Sequence, residues 1–487
     1  MAINAAAVWR IRTDGSDENG AGYDATISGA GTDYSDQAAS QLALTDLATS
    51  GAGVTTLTSV TGGFTSAMIG NAIRIRSGTN FQTGYYYITA RTDTNTVTLD
   101  RTPSSGAAGS GGSGKVGGAA LTLRKIFNSA NAAGEKCVAG NTVYVRGAGS
   151  DSPSADDYAT TSNHFTPVSG DATSGFVKVI GYNGRPRMSE NGLFFYNMSY
   201  FWFENLFITA TGATNASFGL IYVANTATIK NCVLFTNNQA ALRGVNFESG
   251  RGEVIDSEIY GHASAPTASS GADAVNFGTD SGGKVVGCYI HHMGGKGVVC
   301  AGIYGGVVAD TIIYACEGIS IDVTLTSATS STPGWAVKND TIDAGKDHGV
   351  QTTQAGLDGL ELFNTIISNH VGSGKKGLAV TAGTAAENDR RKRLVDYNDL
   401  YNNTANYENV SAGANDLNVD PEYTSAAGAD WSVGTNLKAK GFPGAGAAVI
   451  RKSATYSYVD IGAAQREEPA AGGGLLVHPG MSGGMRG

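Results

Sequence analysis

Phe203-Glu-Asn205-Leu-Phe-Ile208, Ile229-Lys-Asn231-Cys-Val-Leu234 and Val254-Ile-Asp256-Ser-Glu-Ile259 share one short pattern. An alternating apolar start leads to Asn or Asp, two residues follow, and then comes Ile or Leu. The pattern returns at Val285-Val-Gly287-Cys-Tyr-Ile290, Val308-Ala-Asp310-Thr-Ile-Ile313, Val337-Lys-Asn339-Asp-Thr-Ile342 and Leu362-Phe-Asn364-Thr-Ile-Ile367. A degenerate last copy is Asp396-Tyr-Asn398-Asp-Leu-Tyr401. A fixed core separated by loops of unequal length is the signature of a solenoid. Helical repeats do not fit, because the chain is rich in Gly and each interior Gly costs a helix about 1 kcal/mol.

The pattern predicts an all-β chain built on a right-handed parallel β-helix. Each coil buries its inward Val, Ile and Leu against the same positions above and below. Asn205, Asn231, Asp256, Asp310, Asn339, Asn364 and Asn398 then form a column at a bend, where short polar side chains bond backbone groups that the turn leaves unpaired. Cys232 and Cys288 fall one residue after the bend and are expected to stack as small hydrophobes.

Composition agrees. Gly supplies 69 of 487 residues, roughly twice the usual share of about 7%. Charged residues are 15% and hydrophobic residues 41%, which is enough for a core. No apolar run approaches the ~18–20 residues that span a bilayer. The net charge of −9 gives no reason to expect nucleic-acid binding. Met1–Arg10 lacks a secretory signal pattern. Cys137, Cys232, Cys288, Cys300 and Cys316 form no CxxC pair, and the odd number points to free, buried thiols in a protein that folds in a reducing cytoplasm.

Organisation falls into five parts. Residues 1–40 read as an extended arm, ordered only against a partner. Alternating runs across 41–103 predict a small antiparallel barrel or sandwich. Residues 104–120, SSGAAGSGGSGKVGGAA, read as a flexible linker by composition. Leu121, Leu123, Ile126 and Phe127 recur at helical spacing as far as Ala133 and suggest a helix that caps the β-helix of 121–465. Residues 466–487 read as a flexible tail.

The segment Leu121-Thr-Leu-Arg-Lys-Ile-Phe-Asn-Ser-Ala-Asn131, with Gly140-Asn-Thr-Val-Tyr-Val-Arg-Gly147 after it, resembles the cap helix and first strand of the pectin-lyase-like superfamily of right-handed parallel β-helices. Phe176-Val-Lys-Val-Ile-Gly-Tyr-Asn-Gly184 resembles the next coil. Asp420-Pro-Glu-Tyr423 and Asp460-Ile-Gly-Ala463 resemble the closing coil of bacterial and phage members. The resemblance spans roughly 121–465. It implies the fold, and it leaves activity open, since this fold hosts lyases, hydrolases, epimerases and non-catalytic spikes. An arm, a small β domain, a β-helix and a tail together resemble the layout of bacteriophage virion proteins, either tail spikes or capsid decorations.

Enzymes of this fold use an acidic Ca²⁺ cluster with a basic residue, or two carboxyls about 5–9 Å apart. Asp256 and Glu258 alternate with Ser257, so they are expected to share a face, with Asp310 stacked nearby. They are the weak catalytic candidates, and the bend column is the preferred role for Asp256 and Asp310. His291-His292 is the most tempting pair, but consecutive strand residues point to opposite faces, so a turn or surface role is preferred. Arg390-Arg-Lys-Arg393 is the only dense basic run and reads as a solvated loop before it reads as a contact for an acidic glycan. The aromatic runs at Tyr85–Tyr87 and Tyr196–Phe203 read as strand packing. Gly109–Gly114 lacks the Lys-Ser/Thr of a phosphate loop. His164, His262, His348, His370 and His478 carry no pattern.

These readings lead to one expectation and one alternative. The expectation is a phage virion structural protein, held through its N-terminal region by other virion proteins, homotrimeric by family habit, made in the host cytoplasm and released by lysis. It needs no metal or other cofactor, and host surface polysaccharide is its possible ligand. The alternative is a depolymerase, a lyase or glycoside hydrolase acting on acidic host glycans. A secreted adhesin comes third.

Overall fold

A computed structural model describes residues 6–149, 158, 166–190, 195–210, 219–237, 242–262, 272–325, 334–353, 357–426, 430–437, 440–441 and 461–463. The tail expected at 466–487, and His164 and His478, lie outside the described residues. Contacts divide the chain into two compact units. Met1–Thr160, His164–Ser189 and Phe195–Phe207 form one, and Thr161–Asn163, Glu190–Phe194 and Ile208–Gly487 the other.

In the N-terminal unit, strand Val8–Ile11 lies parallel to Thr142–Arg146, with Val8 opposite Thr142. Thr142–Arg146 pairs in parallel with Val177–Tyr182, which pairs with Phe201–Glu204. The arm therefore supplies a rung of a parallel stack and is ordered against its own chain. This corrects the expectation of an arm ordered only by a partner. Trp9 shows why: it is fully buried, donates from Nε1 to Asn141 Oδ1 at 2.9 Å, and meets Tyr85 edge-on at 4.9 Å. Arg10 on the other face lies over the rings of Tyr144 and Tyr182, at 4.4 and 5.1 Å.

Between that rung and Thr142 the chain builds a closed antiparallel barrel. Its strands are Leu42–Ala48, Thr56–Ser59, Ala72–Thr79, Gly84–Asp93, Thr96–Leu99 and Ser110–Val116. Leu44, Leu47, Leu57, Ile73, Ile75, Ile88, Val97 and Val116 fill it. The run 104–120, expected as a linker, contains the last of these strands, paired with both Leu42–Ala48 and Ala72–Thr79. Its glycines serve close approach. A Cβ on Gly112 would sit 2.6 Å from the Phe81 ring, and one on Gly114 would sit 2.9 Å from Leu47. The helix that follows is a short Leu123–Phe127, ended by extended Asn128, and stops well before Ala133. Leu123, Ile126 and Phe127 are buried.

The second unit is a parallel β-helix of three sheets. Strands before the bend, such as Ala227–Lys230, Gly306–Ala309, Trp335–Lys338 and Leu360–Phe363, form one sheet. Strands after it form a second: Val233–Phe235, Glu258–Tyr260, Tyr289–His291, Ile312–Tyr314, Thr341–Asp343, Ile366–Ser368 and Asp399–Tyr401. Ile221–Val223, Val298–Cys300, Ile321–Val323 and Val350–Thr352 belong to a third. Val245–Ile255 and Val275–Val286 run unbroken from the third sheet into the first. Crossovers between parallel strands are right-handed in nearly every fold.

The core is a set of ladders. Ile229, Val254, Val285, Val308, Val337, Leu362 and Val395 stack in register before the bend. Leu234, Ile259, Ile290, Ile313, Ile342, Ile367 and Leu400 stack after it, all fully buried. Each fully buried Val or Ile side chain contributes on the order of 1.5–3 kcal/mol of burial.

The bend itself needs a left-handed residue. Asn205, Asn231, Asp256, Asp310, Asn339 and Asn364 have φ between 48° and 60°, and Gly287 has 67°. Asn and Asp tolerate this region better than other side chains, and Gly has no penalty there. The amides then bond along the column: Asn339 Nδ2 donates to Asp310 Oδ1 at 3.1 Å, and Asn364 Nδ2 to Asn339 Oδ1 at 2.8 Å. Asn398 departs from this register. Phe363 pairs with Asp396, so Tyr397, with φ 59°, holds the last bend, and Asn398 stands one place later with Thr365.

That next place is a second, interior column: Cys232, Ser257, Cys288, Thr311, Asp340, Thr365 and Asn398. Cys232 and Cys288 share it but are separated by Ser257, so they do not stack directly. Cys232 N–H donates to Ser257 Oγ at 3.1 Å, Thr311 N–H to Asp340 Oδ1 at 2.8 Å, and Thr365 N–H to Asn398 Oδ1 at 3.1 Å. Each side chain thus accepts an amide from the rung before it, which explains why polar residues tolerate full burial here.

Candidate functional site

The post-bend sheet has an outer face. Its outward residues run in two columns, one through Glu258, Tyr289 and Ile312, the other through Phe235, Tyr260, His291 and Tyr314. Phe235 stacks on Tyr260 at 4.6 Å, and Tyr260 on His291 at 5.0 Å with planes 3° apart. Tyr289 stacks against His291 at 4.3 Å. These rings spend their faces on one another, at nearly the coil spacing of about 4.8 Å. Phe235, Tyr260 and Tyr289 are half-buried, and His291 beneath them is buried.

Glu258 is brought to His291, not to Asp256. Glu258 Oε1 lies 3.0 Å from His291 Nε2, and His291 Nδ1 lies 2.8 Å from His292 Nδ1. With Glu258 as a carboxylate, which only accepts, Nε2 of His291 donates to it, and one proton lies between the two Nδ1 atoms. Burial, with repulsion from His291 and His262, pushes the His292 imidazole down to about 4, so it is neutral at pH 7. Half-buried, neutral and hydrogen-bonded, it completes a Glu–His–His chain able to hold and pass a proton.

Alternation predicted that His291 and His292 face opposite ways. The structure shows why they do not: His292 has φ 48° and sits at the second bend, where strand alternation ends. The same backbone effect separates the other candidate pair. Asp256 is exposed at the first bend, while Glu258 is two residues on, in the strand. Asp310 is buried in the bend column. Among the described residues no group of three or more His, Cys, Asp or Glu side chains could hold a metal ion.

The basic run is spent locally. Arg391 pairs with Asp358 at 3.5 Å, Lys392 with Asp389 at 3.3 Å, and Arg393 with Glu361 at 3.4 Å. Its helix, Ala385–Arg391, carries a capping box between Thr384 and Glu387. Tyr85, Tyr86 and Tyr87 are buried in the N-terminal unit. Tyr260, Tyr289 and Phe235, which frame the candidate site, lie singly in separate repeats, and only stacking the coils brings them together.

The farther part of the same sheet face is covered. Trp431 packs on Tyr314 at 5.0 Å and Tyr423 on Trp431 at 5.2 Å. Val433, Leu437 and Ile461 pack on Ile366, and Trp431 and Ala463 on Ile312. Gly462 N–H donates to Asn364 O at 2.9 Å. Among the described residues, the chain after the last coil therefore folds back as a strap that reaches Tyr314.

A family model described as right handed beta helix region matches residues 219–405, the span of the coils described above. No curated protein sequence matches the chain. Among solved structures the chain is similar to the pectate lyase Pel9A, at 13% identity over 68% of this chain and 88% of that one, TM-score 0.40. It is similar to the catalytic domain of a GH87 α-1,3-glucanase, at 9% identity over 77% and 85%, TM-score 0.32. It is also similar to the tailspike protein gp49 from Pseudomonas phage LKA1, at 14% identity over 77% and 67%, TM-score 0.30.

Proposed function

We propose that this right-handed parallel β-helix, of the pectin-lyase-like type, is a surface protein of a bacteriophage particle that presents its post-bend sheet to a host polysaccharide. The observation that carries the ligand is the Glu258–His291–His292 chain on an outer sheet face, framed by Tyr260, Tyr289 and Tyr314. A half-buried histidine with a lowered pKa, here His292, set beside aromatic rings marks a binding site more often than inert surface. Because the rings face one another, recognition falls to hydrogen bonds accepted by the carboxylate and exchanged with the imidazole and phenol groups. Sugar hydroxyls match that set.

Attachment through the N-terminal unit is supported by its construction. A closed barrel is inserted between two strands that pair in parallel in adjacent rungs, so force on the barrel would reach the parallel stack through hydrogen bonds and not through a loose tether. Homotrimerisation is proposed on the same footing as the particle role and is read directly as a mass near three times 49.8 kDa in sedimentation. Gold-tagged antibody against residues 121–465 on source phage particles tests the location. Gold on the head or tail supports the reading, and unlabelled intact particles overturn it.

A second reading, depolymerisation, rests on the hydrogen-bonded Glu258–His291 pair. Purified host capsule and lipopolysaccharide are incubated with the protein and with Glu258→Gln and Asp256→Ala. New reducing ends lost in Glu258→Gln support cleavage. Retention of the glycans without new ends, weakened in Glu258→Gln, supports binding alone.

A further inference from the structure

We infer that the strap formed by the chain after Asn415 is an acid-held latch, seated on the post-bend sheet while Asp399 carries a proton and released from it when that proton is lost.

The geometry centres on Asp399. It lies in the last post-bend strand, opposite Ile366, with no exposed surface. Its Oδ1 accepts the Val419 N–H at 3.0 Å, and Leu417 forms a parallel bridge with it. Its Oδ2 has no hydrogen-bond partner. This carboxyl therefore sits at the start of the strap's path over the sheet, beside Leu417, whose N–H donates to Asn398 O and whose O accepts the Leu400 N–H.

Among the described residues, the titratable groups that act on Asp399 are acidic or phenolic. Asp416 and Asp420 face it from the strap, and Tyr407 and Tyr423 face it from the last coil and the strap. Asp396 precedes it by one turn and accepts Asn415 N–H at 2.6 Å, while Tyr401 donates to Asp420 at 3.4 Å. Among the described residues no Lys, Arg or His forms an ion pair with Asp396, Asp399, Asp416 or Asp420. A charge at Asp399 would be buried, one oxygen unpaired, beside two other carboxylates. Burial, and then Asp420 and Asp416, hold its carboxyl up at about 7. Farther along, a second buried acid under the strap, Asp343, is raised in the same direction but is satisfied by Ser368 Oγ and Asn369 Nδ2. Asp399 lacks such partners.

The sign follows from linkage. An unseated Asp399 titrates near its ordinary value of about 4. Between about pH 4 and 7 the seated form holds a proton that the unseated form has lost, so seating weakens by up to about tenfold per pH unit and levels off above 7. Release uncovers Ile312 and Ile366 and extends the open face below His291.

Hydrogen exchange of the full chain, read on peptides within 411–437 and corrected for intrinsic rate with reference peptides, tests this. Protection there is expected to fall at least tenfold from pH 5 to pH 8, while peptides within 245–260, which the strap does not touch, stay unchanged. Asp399→Asn is expected to keep full protection at both values. Asp420→Asn, which removes a neighbouring charge, is expected to move the change to lower pH and serves if Asp399→Asn does not fold. Strap protection that ignores pH in the unaltered protein overturns the latch, as does the same response in Asp399→Asn or an unshifted one in Asp420→Asn.

Discussion

Asp416 closes the interior column of the β-helix by accepting the Asn398 N–H at 2.8 Å. Asn398 is the last rung of that column, and without Asp416 its amide would face an open end. The same carboxylate accepts Asn398 Nδ2 at 3.1 Å, Gly413 N–H at 2.6 Å and Tyr407 O–H at 2.6 Å. A solenoid must end its repeating hydrogen bonds somewhere, and terminal caps decide its solubility and stability.

Removing that cap leaves several donors without a partner at once. Each buried donor left unsatisfied costs about 1–3 kcal/mol, so Asp416→Ala is expected to destabilise the last coil by about 3 kcal/mol or more. Hydrogen exchange should show the loss across residues 394–408 and not across 221–260. Equal protection in both regions would contradict the role.

His370 sets an acid limit. It is fully buried, its Nδ1 lies 2.7 Å from the Asp347 carbonyl, and it occupies space left by Gly345, where a Cβ would sit 2.7 Å from its ring. Burial lowers it to about 4. The folded group stays neutral while the unfolded one protonates below about 6.5, so stability is lost as pH falls from about 6.5 to 4, by up to about 3 kcal/mol. His370→Asn should flatten thermal stability over that range, compared by Tm at pH 4.5 and 7.

The glycine-rich strand gives a sharp contrast. Gly112→Ala pushes a methyl into Phe81 and Leu47 and is expected to cost about 1–3 kcal/mol, as overpacking does. Gly51, with only a Val54 methyl at 3.9 Å, should accept Ala with no loss. Thermal melts of the two variants decide it. Equal tolerance would restore the linker reading of 104–120.

Burial also sorts the ion pairs between coils. Lys296 pairs with Asp322, whose side chain is 5% exposed. Lys296→Met leaves that charge buried and should cost about 3–5 kcal/mol. Lys284 pairs with Glu253 at 2.7 Å, but the two side chains are 54% and 33% exposed. Lys284→Met should cost no more than about 1 kcal/mol. Denaturant unfolding of both variants measures the difference.

The repeat, its bend and the ladders of Val and Ile were legible in the sequence, because a parallel β-helix repeats each inward position at every coil. Asn, Asp and Gly at the bend are a local demand, set by φ near 50° at a single residue. What the sequence concealed depends on two residues meeting from distant places. The glycines of 109–114 look the same whether they give freedom or make room for Phe81. Asn398 matches the motif, yet strand pairing places Tyr397 at the bend. Glu258, His291 and His292 became one chain only because stacking set two coils in register and a left-handed bend turned His292 back towards His291. The strap over Ile366 carries no repeat at all, and only burial against the finished sheet decides where it lies.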